Sequence, residues 1–131
     1  KVIESDALDV LGRITLAQGH PLEARRHFQE GLILQRELKD TGIVPSLLEG
    51  LANALTSLSQ PHDALRLIGA AETLRKKINV AMTQVERPEH DQLVSILREQ
   101  MDEAAYQKLW NVGRAMTMKQ VIDLALKDNN D

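Results

Sequence analysis

Two parts of this 131-residue chain superimpose at an offset of 40 residues. Setting Gln18 to Arg26 over Leu58 to Arg66 pairs Pro21 with Pro61, Ala24 with Ala64 and Arg26 with Arg66. The same offset pairs Leu8 with Leu48, Leu11 with Leu51 and Leu34 with Leu74. A period of this size restricts the fold to an array in which each unit buries one face against the next. The units should be helical, because Leu, Ala, Glu, Gln, Lys and Arg, all good helix formers, dominate the sequence.

Each unit reads as a helical hairpin. Leu8, Leu11 and Thr15 share one helical face. Gln18-Gly19-His20 then breaks the pattern, and Pro21 suits the first turn of a new helix, where its missing N–H is not needed. Ala24, Phe28, Gly31, Leu32 and Leu38 follow at helical spacing, and the helix should end near Asp40-Thr41-Gly42, with Gly42 as the left-handed cap. Pro45 opens the second unit, whose first helix carries Leu48, Leu51, Ala52 and Leu55. Pro61 starts its partner, with an apolar stripe of Ala64, Leu67, Ile68, Ala71 and Leu74.

After Ile78 the period is lost. Residues 79 to 87 read as a connector, and Pro88 opens a helix with Leu93, Ile96, Leu97 and Met101 on its buried face. Asp102 can cap a further helix through Ala105, Leu109, Val112 and Met116. Thr117 and Gln120 have capping-box spacing for a last helix carrying Val121, Ile122, Leu124 and Ala125 before the polar tail Asp128-Asn129-Asn130-Asp131. The expected architecture is all-α with about seven helices in a single domain. Residues 1–78 form two hairpins stacked as a short solenoid, and residues 79–131 form a helical cap that closes the core.

Leu11-Gly12, Gly19, Ala24, Phe28 and Gly31 fall where the tetratricopeptide pattern places them, so the first unit resembles that family. Leu8 stands where the pattern has Trp, Thr15 where it has Tyr, and the period is longer. A second resemblance rests on the run Ala64 to Arg75, on Tyr106, Trp110, Gly113-Arg114 and Met116, and on Val121 to Leu126. These look like the C-terminal end of large bacterial multidomain signalling proteins, many of them LuxR-type transcriptional regulators, in which tetratricopeptide-like helical repeats follow an ATPase domain. The resemblance implies a regulatory segment that docks or senses, with nucleotide chemistry elsewhere. None of the seven glycines here begins a G-x-x-x-x-G-K-[ST] loop. The opening on Lys1, within an amphipathic pattern, also suggests a piece of a longer protein.

The chemistry-bearing residues do not assemble into a motif. His20 and His62 fall at hairpin turns, while His27 and His90 lack a partner at H-E-x-x-H spacing, so all four read as surface or turn residues. There is no cysteine and no G-x-S-x-G elbow. The expectation is a non-enzyme with no cofactor, no metal and no catalytic residue. A net charge of -3 disfavours direct nucleic-acid binding. The basic run Arg75-Lys76-Lys77 is accounted for by a helix C-terminus. No apolar run approaches a membrane span, and KVIESDALDV lacks signal-peptide organisation, which points to the cytoplasm.

Binding is the remaining class of function. On the tetratricopeptide register the inner face should present Asp6, Asp9, Arg13 and Ala17 from the first unit, and Ser46, Glu49, Asn53 and Ser57 from the second. These polar residues suit a protein or peptide segment, including other domains of the parent chain, or they form an ordinary solvated face. Tyr106, Trp110 and Arg114 surround Gly113 on one helix. They serve either as partner anchors or as packing, with Gly69 and Gly113 permitting close helix contact. A small-ligand effector sensor and a homo-oligomerisation module are the alternatives. A closed apolar pocket between residues 48–58 and the cap would favour a ligand, and an open polar groove would favour a peptide.

Overall fold

The computed structural model describes residues 4–127 as seven helices, with no strand among them. The polar tail and the first three residues lie outside the described residues. Helices α1 (Ser5–Ala17) and α2 (Pro21–Leu38) form one hairpin, and α3 (Val44–Ser57) and α4 (Pro61–Ile78) form the next. Helices α5 (Glu86–Glu99), α6 (Glu103–Arg114) and α7 (Met118–Ala125) complete the chain. Each of the first four helices packs on its neighbour in sequence. The cap then attaches by α6 lying along α4, with α5 bypassed and only lightly held by α3 and α6.

The turns follow from the residues that occupy them. Pro21 and Pro61 begin α2 and α4, and Gly19 before the first carries a φ of 86°. Ser59 holds the matching left-handed position in the second hairpin at φ 63°, a conformation that L residues adopt with strain. The left-handed cap of α2 falls at Lys39 (φ 55°), directly after Leu38, the last residue of the apolar stripe, and not at Gly42. Gly42 instead donates its N–H to Asp40 Oδ1 in the connector. Asp102 accepts from the Ala105 N–H, and Thr117 with Gln120 makes a complete capping box, so α6 and α7 begin where expected. Helix α5 begins two residues before Pro88, where Glu86 and Thr83 bond each other's backbone N–H groups.

One contiguous core runs from α2 to α7. Its centre is Phe28, fully buried between the two first helices of the units. A Cβ on Gly12 would stand 2.6 Å from the ring, and one on Gly50 would stand 2.4 Å from it. Burying such a ring contributes about 1.5–3 kcal/mol, and both flanking helices must be glycine there to admit it. Several residues expected inside lie outside: Leu11, Leu38, Ile96 and Val112 are exposed. Periodicity groups residues onto a face correctly, but the width of the face that is covered depends on the neighbours.

The α4–α6 contact is closer still. A Cβ on Gly69 would lie 2.6 Å from the Trp110 carbonyl oxygen, and one on Gly113 would lie 2.1 Å from the Arg66 carbonyl oxygen. The two helices therefore meet backbone to backbone, and the interior glycines serve the packing expected of them. No helix among the described residues is long and apolar enough to cross a membrane.

Candidate functional site

The inner polar face expected to await a partner is already engaged by the chain's own α5. On α1, Asp9 and Arg13 are one helical turn apart and form an ion pair at 3.2 Å. Arg13 reaches α3, donating from Nη2 to the Ser46 carbonyl at 3.0 Å, while the Ser46 hydroxyl donates to Asp9 Oδ2 at 2.7 Å. The Arg13 Nη1 donates to Glu89 Oε1 on α5, and Asn53 Nδ2 donates to the same oxygen at 3.4 Å. Helices α1, α3 and α5 are thus tied by one branched network.

A second cluster lies beside it. Glu49, buried on α3, has Oε1 3.0 Å from His90 Nδ1 and Oε2 3.8 Å from Arg75 Nη1. Arg75, in the last turn of α4, also pairs through Nη2 with Glu86 Oε2 at 3.5 Å. Burial by itself raises the Glu86 carboxyl. The Thr83 backbone N–H, the Arg75 guanidinium and the Thr83 hydroxyl outweigh it and hold the carboxyl below its ordinary value. Around Arg75 and His90 opens a cleft of about 400 Å³, also lined by Glu49, Glu72, Lys76 and Arg87.

Of the expected inner-face residues, the structure brings Asp9, Arg13, Ser46, Glu49 and Asn53 together. Asp9 and Glu49 are buried in the network, so they are not presented to solvent. Asp6, Ala17 and Ser57 are exposed and remain outside it. Tyr106 is buried, with its ring stacked on Trp110 at a centroid distance of 6.4 Å and the Arg98 guanidinium 4.0 Å from the centre of the same ring. It packs the cap and is not a surface anchor. Desolvation raises its phenol above the ordinary range despite the arginine. Trp110 is half-buried, and Arg114 is exposed beside Glu72 at 3.6 Å.

Three residues of the site escape a reading by motif. His90 sits neither at a turn nor on open surface but in α5 against Glu49. Arg75 does more than neutralise a helix end, because it joins α3 to α5. Glu86 anchors the start of α5. The signal was present in the spacing: Glu86, Glu89 and His90 continue the stripe of Leu93 and Leu97 at intervals of one helical turn, so that a single face of α5 carries both. Between α3, α4 and the cap, where a closed apolar pocket would have favoured a ligand, the cavity is about 90 Å³ and lined by Leu48, Leu74, Met116 and Val121 among others. Among the described residues no group of three or more His, Asp or Glu side chains could hold a metal ion.

The chain is similar to segments of mycobacterial proteins. Over 125 residues, 95% of its length, it is 26% identical to Putative HTH-type transcriptional regulator Rv0890c of Mycobacterium tuberculosis and to Putative HTH-type transcriptional regulator Mb0914c of Mycobacterium bovis. The aligned segment makes up 14% of each of these relatives, so the chain spans a small part of their length. No family model and no solved structure matches it.

Proposed function

We propose that the chain is a tetratricopeptide-like, non-catalytic segment of a larger helix-turn-helix-type transcriptional regulator, acting by binding a protein segment, other parts of the same regulator included. The observation that carries this reading is the likeness of almost the whole chain to one small part of such regulators. The inner face offers an example of such binding within the chain itself: Arg13, held by Ser46, and Asn53 bind the Glu89 carboxylate of the chain's own α5. The cavity at the repeat-to-cap junction, about 90 Å³, is smaller than ordinary ligand pockets of about 300–1,000 Å³, which speaks against a small effector bound at that junction.

The test is made in the intact regulator. Deleting residues 4–127 should change regulated transcription without abolishing DNA binding by the rest of the protein. The isolated chain should associate saturably with the remainder in trans or with a protein partner of the regulator. Unchanged transcription after the deletion, together with no association at tens of micromolar, would remove the reading.

A further inference from the structure

The two hairpins are not buried alike. In α3 the residues Pro45, Leu48, Glu49, Ala52 and Leu55 are buried, and their counterparts 40 positions earlier, Ser5, Leu8, Asp9, Gly12 and Thr15, are buried too. But α3 buries a second face, formed by Leu47, Gly50, Leu51 and Ala54, against the preceding hairpin. There Leu47 lies over Gly31, and Gly50 lies over the Phe28 ring. The counterparts on α1 are Ala7, Val10, Leu11 and Ile14. All four are apolar and all four are exposed, with Val10 at 56%, Leu11 at 37% and Ile14 at 49%. A helix that needed only to face solvent on that side would carry polar residues there.

We propose that this stripe is the seat of a further helical hairpin of the same array, immediately N-terminal in the intact protein and packed on α1 as the α1–α2 hairpin packs on α3. The occupant is fixed by continuity with an interface the structure already contains: the same register positions that seat α3 on α2 recur, uncovered, on α1. The aligned segment is only 14% of the relatives, so most of their length lies outside it. The side chains also say something of its shape. Val10 takes the place of Gly50, so the incoming second helix must carry a residue smaller than phenylalanine at the position matching Phe28. Ala7 takes the place of Leu47, so the position matching Gly31 has room for a larger side chain. This goes beyond the proposed function by assigning a face and an occupant. It shares with that reading only the premise of a longer protein.

The chain has no cysteine, so Val10→Cys introduces a single reporter thiol at an exposed position, with Leu11→Cys as a second. In the 131-residue chain, maleimide should label either thiol at the rate of an accessible one. In the chain carrying its natural upstream residues, labelling at the same positions should slow by at least about a hundredfold, as for a thiol reached only through local opening. Equal rates in the two proteins would overturn the proposal. So would protection in the 131-residue chain that grows with its own concentration and disappears in a Val10→Lys, Ile14→Lys double variant, since a second copy would then cover the face. The transcription assay above deletes residues 4–127 and reads a different property from thiol labelling, so either idea can fail alone.

Discussion

The α-carbon of Gly113 faces the carbonyl of Arg66 so closely that a methyl group there would sit 2.1 Å from the oxygen. The obstacle is backbone, which no rotamer change can move. Gly113→Ala should therefore push α6 off α4 and lower stability by about 1–3 kcal/mol or more, the range for overpacking a filled contact. Chemical denaturation of the variant measures it. Replacing the neighbouring exposed Ala115 by Gly should change stability by less than about 1 kcal/mol.

Phe28 sets a contrasting case. Gly50→Ala meets the Phe28 ring, a side chain, at 2.4 Å. The single substitution should destabilise by about 1–3 kcal/mol. Combined with Phe28→Leu it should do less harm than the sum of the two, because the smaller side chain vacates the space. A double-mutant cycle reports this as a coupling energy of at least about 0.5 kcal/mol.

Helix α5 is held by Leu93, Leu97 and the polar network. Arg13→Ala should leave the hairpins folded and raise amide exchange selectively in residues 86–97. Its effect and that of Glu89→Gln should be non-additive, since both remove one pair. Exchange that rises equally in α2 and α4 would contradict this arrangement.

Glu86 gives the same helix a dependence on pH. Its folded carboxyl lies below the ordinary glutamate value of 4.5, so the folded state binds its proton less readily than the unfolded chain does. The stability it contributes is present above pH 4.5 and is lost as pH falls through the folded value. Glu86→Gln should flatten that part of the melting temperature against pH. An unaltered acid limb would exclude Glu86 as its source.

Lys39 ends α2 in the left-handed region without being glycine. Lys39→Gly should stabilise the chain by about 0.5–1 kcal/mol by removing the Cβ strain, a gain visible as a higher melting temperature.

The sequence carried most of the helical order, and the reason is local. Pro21, Pro61, Asp102 and the Thr117–Gln120 pair act within one turn of themselves, so they can be read without knowing the fold. Gly69 and Gly113 were legible as close contacts because a glycine inside a helix needs a packing reason. The fate of the inner face was not legible. Arg13 and Glu49 look alike whether they face water or a helix some 40 to 80 residues later, and only the path of the chain after Ile78 decides between them. Leu11 misled for the opposite reason. Its spacing marks it for burial, and within these residues nothing buries it.

The chain's one tryptophan, Trp110, lends its carbonyl to the Gly69 crossing while its ring stacks half-buried on Tyr106. The protein thus has a built-in optical gauge. Its emission should track the parting of α6 from α4 and be indifferent to events in α1, so fluorescence and helicity followed together would tell whether the cap and the hairpins melt as one unit or in turn.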